Sequence, residues 1–124
     1  MYKTIIVPTD FSDEESTIQS LKKADKLSDN GNILLLHAVE EPAGYDISQT
    51  RETLGNWLTK SGVEAEIEIR SDGSSYHNII QSAKENKADL ILINSHKPEL
   101  KDYLLGSTAG KVVRHAPCSV LVER

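Results

Sequence analysis

Ala88-Asp89-Leu90-Ile91-Leu92-Ile93-Asn94-Ser95-His96-Lys97, followed by Leu104-Leu105-Gly106-Ser107-Thr108-Ala109-Gly110-Lys111-Val112-Val113-Arg114-His115-Ala116-Pro117-Cys118-Ser119-Val120-Leu121-Val122, reads as strand, loop, helix, strand. Leu90 to Ile93 is a short, branched, continuous apolar run, the pattern of a strand buried on both faces. The loop from Asn94 to Leu105 is long for a strand-to-helix connection, and loops of that length in α/β folds are commonly functional. Gly106 permits close approach of a ligand, and Ser107 is the expected N-cap. The helix runs to about His115 and is stopped by Ala116-Pro117. Cys118 to Val122 is the returning strand, parallel to the first. Alone, a Gly-Ser helix start is an ordinary cap. Placed after a long loop at the carboxyl end of a buried strand, it becomes an anion site, with phosphate the usual anion.

The remainder of the chain repeats this alternation. Thr4 to Val7 is a first strand, ended by Pro8-Thr9-Asp10. Ser12-Asp13-Glu14-Glu15 reads as a capping box with Ser12 as N-cap. The helix behind it places Ile18, Leu21, Ala24 and Leu27 on one stripe, and Asp29-Asn30-Gly31-Asn32 is the turn that ends it. Ile33 to Leu36, continued to Val39, is a second buried strand. A helix follows from about Ser48 to Lys60, with Leu54, Trp57 and Leu58 on one face and Ser61-Gly62 as its stop. Val63 to Arg70 alternates strictly, a half-exposed edge strand with a row of glutamates outward. The last connecting helix, from about Tyr76 to Asn86, buries Ile79, Ile80 and Ala83.

The order β-α-β-α-β-α-β-α-β predicts an α/β fold: one open, doubly wound, five-stranded parallel sheet with helices on both faces. The strands at 4–7, 33–36 and 90–93 are apolar on both faces and belong at the centre, which gives the order 3-2-1-4-5. The switch point falls between the first and fourth strands. A ligand there meets Pro8, Thr9 and Asp10, the chain near Val39, the Asn94 loop and the Gly106 helix start. Asp10 either reads an amine or hydroxyl of the ligand or braces the turn. Val39 either lines the crevice or simply packs.

The 124 residues, with 27% charged and 38% hydrophobic, suit one globular domain spanning 1–124. The net charge of −5 argues against a broad nucleic-acid or anionic-membrane footprint. No signal peptide or membrane-length run is present, so the expected location is the cytoplasm. Cys118 is expected to be buried and inert, and the four scattered histidines give no zinc pattern. His37 reads as a hydrogen-bonded core residue, His77 as exposed, and His115 as a complement to a helix dipole. His96 sits in the suspected phosphate loop. Gly106 to Lys111 lacks P-loop spacing, and no Gly-x-Gly-x-x-Gly follows the first strand. The acidic set of a receiver domain is missing too. No catalytic constellation is visible.

Ile5-Ile6-Val7-Pro8-Thr9-Asp10-Phe11-Ser12, Leu35-Leu36-His37-Ala38-Val39, Ala88 to Ile93 and Leu104 to Val122 together resemble the universal stress protein family, over the whole chain and in order. The resemblance implies the doubly wound fold, ATP or AMP as ligand (with Mg as the nucleotide complex), and a homodimer through the final strand, 119–123, or a tetramer. Carried over, it implies that Asp10 and Val39, beside Pro8 and Thr9, hold the adenine and ribose end. Ile93 and Asn94 line the ribose, and Gly106, Ser107, Thr108 and Ala109 hold the phosphates. Nucleotide-binding members carry a Gly-x-x-Gly pair where this chain has Asn94-Ser95-His96-Lys97, and the spacer here is one residue shorter. Lys97 then supplies a charge to the phosphates in place of a glycine backbone, as in a small bacterial branch of the family.

Three functions remain open on this reading. The first is an adenine-nucleotide-binding regulatory stress-response protein acting as a homo-oligomer. The second is a nucleotide-free dimerising interaction module of the same fold. The third is a slow ATPase, disfavoured because no base or carboxylate cluster is apparent.

Overall fold

A computed structural model describes residues 2–9, 13–38, 46–71, 73–95 and 106–123. The elements are β1 (Tyr2–Thr9), α1 (Glu14–Leu27), β2 (Ser28–Ala38), α2 (Ile47–Ser61), β3 (Glu66–Arg70), α3 (Ser75–Glu85), β4 (Leu90–Asn94), α4 (Ser107–His115) and β5 (Ser119–Glu123). The five strands form one sheet in the order β3-β2-β1-β4-β5. Every neighbouring pair is parallel. The expected strand order and the alternation of elements are therefore those observed.

Strand periodicity sorts the core into two layers. Ile5, Val7, Ile33, Leu35, Leu90 and Leu92 project to the side where Leu21, Ala24, Leu54 and Trp57 of α1 and α2 meet them. Ile6, Leu34, Leu36, Ile91 and Ile93 project to the other side, against Ile79 and Ala83 of α3 and Ala109 and Val112 of α4. Both faces of the three central strands are thus dry, which is why their sequences show continuous apolar runs rather than alternation.

Several boundaries differ from expectation, each for a local reason. The N-cap of α1 is Asp13, whose carboxylate accepts from the Ser16 amide (3.2 Å) and the Ser16 hydroxyl (2.8 Å). Asp13 has the extended backbone that a cap requires, so Glu15 falls one residue too early to complete a box. Ser12 itself lies outside the described residues. Asp29-Asn30-Gly31-Asn32 does not form a free turn. These residues belong to β2, where the pairing slips between Tyr2↔Ser28 and Thr4↔Asn32. Asn30 takes φ 50° in this irregularity, and the Ser28 hydroxyl accepts from the Gly31 amide. β3 begins only at Glu66, and Val63 before it is buried behind the α2 cap. Its glutamates are not all outward. Glu68 meets Ser82 of α3, and Arg70 pairs with Glu68 (2.9 Å) and Glu85 (2.7 Å). The two carboxylates hold the Arg70 guanidinium firmly charged, and Arg70 in turn lowers the carboxyl of Glu85. Cys118 is half-buried just ahead of β5, and burial, with the charge of Asp89, pushes its thiol up.

At the amino end of the sheet, the Asp89 carboxylate accepts from the amides of Lys3 (2.9 Å) and Thr4 (2.9 Å), and its own amide donates to the Thr4 carbonyl. Burial alone would raise this carboxyl, but the amide donors outweigh it, and it lies below the ordinary range. A depressed carboxyl contributes stability above its unfolded value and loses it as pH falls through the folded one. The stability difference between wild type and Asp89→Asn, followed by urea unfolding, is therefore expected to be full at neutral pH and to shrink below about pH 4.

Gly31 gives a second prediction. A Cβ there would lie 1.9 Å from the Lys3 carbonyl oxygen, so β1 can approach only a glycine. Gly31→Ala should cost about 1–3 kcal/mol in denaturant unfolding. Gly55→Ala, in the interior of α2 with no atom within 4 Å of the new methyl, should instead stabilise by about 0.5–1 kcal/mol.

Candidate functional site

Parallel strands end at one edge of the sheet, and each crossover brings a helix start back to that edge. Here the carboxyl ends of β1, β2 and β4 open onto a cleft of about 260 Å³. Pro8 and Thr9 of β1, Ala38 of β2, and Ile93, Asn94 and Ser95 at the end of β4 form its floor. Its rim comes from three helix starts: Asp13, Ser16 and Thr17 at α1, Ser75 and Ile79 at α3, and Gly106, Ser107, Thr108 and Ala109 at α4.

The two walls differ because alternate strand residues face opposite helices. Toward α1 the wall is polar. The Thr9 and Thr17 hydroxyls are 2.9 Å apart, His37 Nδ1 lies 2.9 Å from the Thr9 carbonyl oxygen, and the Asn94 amide donates to the Ser20 hydroxyl at 2.8 Å. Toward α3 and α4 the wall is largely apolar, formed by Pro8, Ala38, Ile79, Ile93 and Ala109. The Ser75 hydroxyl there donates to the Ala38 carbonyl at 3.5 Å.

The start of α4 differs from the other three. Asp13, Asp46 and Ser74 cap α1, α2 and α3 with side-chain oxygens. The N-cap of α4 is Gly106, not Ser107, and among the described residues no side chain caps the helix. Gly106 has the extended backbone of a cap (φ −60°, ψ 160°), whereas Ser107 is already helical and exposed, so its hydroxyl is not in the capping position. The Gly106 amide donates to the Ser95 hydroxyl at 2.8 Å, and the Gly110 amide to the Gly106 carbonyl. The amides of Ser107, Thr108 and Ala109 have no hydrogen-bond partner among the described residues. Three such donors at the positive end of a helix, beside an apolar wall, suit a phosphorylated compound with a flat apolar portion.

Of the residues singled out in the sequence, Pro8, Thr9, Ile93, Asn94, Ser95, Gly106, Ser107, Thr108 and Ala109 all line this cleft. Asp10, Val39, His96 and Lys97 lie outside the described residues. Sequence reasoning missed Asp13, Ser16, Thr17, Ala38, Ser75 and Ile79. The available signal was topological: in this fold the first turn of each helix after a central strand borders the crevice. Asn94, expected to line the ribose, turns its side chain to Ser20 on α1, leaving its backbone and the neighbouring hydroxyl toward the cleft. Ser95 is a junction. Its amide donates to the Glu123 carbonyl of β5 at 2.8 Å, while its hydroxyl accepts from Gly106, so the two ends of segment 96–105 are joined by one hydrogen bond. Among the described residues, no group of three or more His, Cys, Asp or Glu is placed to hold a metal.

The family profile described as the Universal stress protein family matches residues 1–124. Universal stress protein G of Escherichia coli O157:H7 is 31% identical over 143 residues, with all of both chains covered. The universal stress protein of Archaeoglobus fulgidus, solved in complex with dAMP, superposes with a TM-score of 0.73 at 20% identity, covering 99% of this chain and 98% of that one. A universal stress protein solved in complex with cAMP gives the same TM-score, 0.73, at 20% identity over 99% of this chain and 97% of that one.

The Ser95 junction carries its own test. Ser95→Ala leaves the buried Gly106 amide without its acceptor, which should cost about 1–3 kcal/mol. In hydrogen exchange the Gly106 amide should lose protection while the core strands keep theirs.

Proposed function

Since this chain belongs to the Universal stress protein family, we propose that it binds an adenine nucleotide, ATP or AMP, in the cleft at the sheet's carboxyl edge. The observation that carries the reading is the start of α4, whose first three amides have no partner among the described residues and whose residues line a cleft with one apolar wall. The complexes of dAMP and of cAMP in proteins of the same fold support it. Pro8, Ala38, Ile79 and Ile93 offer the apolar contact that a base needs, and Thr9, Asn94 and Ser95 the polar contact of a ribose. Gly106, Ser107, Thr108 and Ala109 hold phosphate oxygens through backbone donors. Asp10, Val39, His96 and Lys97, next in sequence to the described lining, complete this assignment, Lys97 by its charge. Where a triphosphate is bound, Mg arrives with it as the nucleotide complex.

The replaced glycine pair is the feature that favours the nucleotide-free alternative. At Asn94 it weighs little. The residue has an ordinary negative φ, and its side chain is held by Ser20, so no glycine-only backbone is required there.

The chain acts, on this proposal, as a regulatory stress-response protein in a homodimer or higher oligomer. β5 stands at the sheet edge with Val120, Leu121 and Val122 half-buried, and Val113 on α4 is 46% exposed. Unprotected apolar edges of this kind seek partners.

Gly106→Val sets a branched side chain at the rim of the phosphate cradle. Titration calorimetry with AMP and ATP should show at least about tenfold weaker binding, equivalent to roughly 1.4 kcal/mol. The melting curve should stay close to that of wild type. Unchanged affinity would remove the start of α4 from the site.

A further inference from the structure

A second depression adjoins the cleft. It has a volume of about 400 Å³, lies between α1 and the tips of β4 and β5, and shares Asp13, Ser16 and Asn94 with the cleft. Its character is different. Every described side chain lining it is polar or charged, and beyond the shared residues these are Glu15, Gln19, Ser20, Lys23 and Glu123. Among the described lining residues there is no aliphatic or aromatic side chain on which a second base would stack.

Nor does its charge invite another phosphate. Lys23 is the one cation among the described lining residues and is paired with Glu123, while the exposed carboxylate of Glu15 repels anions. Carboxylates and amides in this proportion suit neutral hydroxyl groups. A carboxylate accepts from two neighbouring hydroxyls, and an amide both donates and accepts. The groove meets the cleft at Asn94, one residue from the Ser95–Gly106 contact that marks its phosphate end. A group attached beyond the phosphates would therefore pass from a donor-rich helix start into an acceptor-rich groove.

The geometry points to a subsite along α1 for a hydroxyl-rich group esterified to the distal phosphate of a nucleotide, such as a second ribose or another sugar. This rests on the cleft being a nucleotide site and specifies which nucleotides it prefers. Glu15 and Gln19, exposed on α1 and absent from the cleft lining, set that preference by bonding the hydroxyls.

The test compares ADP with ADP-ribose, which adds one ribose beyond the same two phosphates, by calorimetry on the full chain. ADP-ribose should bind about tenfold more tightly than ADP, the worth of one or two hydrogen bonds to a charged acceptor. The double variant Glu15→Ala/Gln19→Ala should erase that gain and leave ADP affinity unchanged. Equal affinity of wild type for the two compounds would overturn the subsite alone. So would a gain that survives the double variant. If neither compound binds, the nucleotide reading of the cleft falls and the subsite with it, a result distinct from the first two.

Discussion

Removal of both faces of three parallel strands from water is the constraint on which the rest of this structure depends. β1, β2 and β4 carry apolar side chains on alternate residues in both directions, and neither set can be left exposed at a tolerable free energy. Two helical layers are therefore obligatory, α1 and α2 on one side, α3 and α4 on the other. With right-handed crossovers, helices can occupy both sides only if the strand order reverses. The reversal occurs between β1 and β4, and the helices that follow these two strands, α1 and α4, lie on opposite faces of the sheet. The cleft is a geometric by-product of covering the core.

The same alternation decides the chemistry of the cleft. Residues one apart along a strand serve different walls, so Pro8 and Thr9, or Ile93 and Asn94, contribute an apolar and a polar surface from adjacent positions. The polar wall spends much of its hydrogen-bonding capacity internally, through Thr9–Thr17, His37–Thr9 and Asn94–Ser20. Such pairs hold α1 against the sheet and preorganise the site. Among the described residues the donors at the start of α4 are not consumed in this way.

Much of this architecture was legible in the residues. Continuous runs such as Leu90 to Ile93 mark two-sided burial, the strict alternation of 63–70 marks an edge, and the doubly wound order 3-2-1-4-5 satisfies both. The functional helix start was legible because Gly106-Ser107 follows a long loop from a central strand. What sequence reasoning missed depends on distance in space rather than along the chain. Glu68 read as an outward charge, yet α3 crosses β3, so that Glu68 meets Ser82 and Arg70 beside it meets Glu85. Asp13 and Ser12 are equally good caps by composition, and only the backbone angles choose between them. The place of Asn94 at the crevice was legible, but the direction of its side chain, which Ser20 holds, was not.

The Asp89 clamp sits at the amino edge of the sheet, the full length of the strands away from the cleft. Ties that join β1 to β4 at this edge stand apart from the cleft at the other, so part of what holds the sheet together is separate from the residues that line the cleft. Substitutions at the carboxyl edge then leave these ties intact.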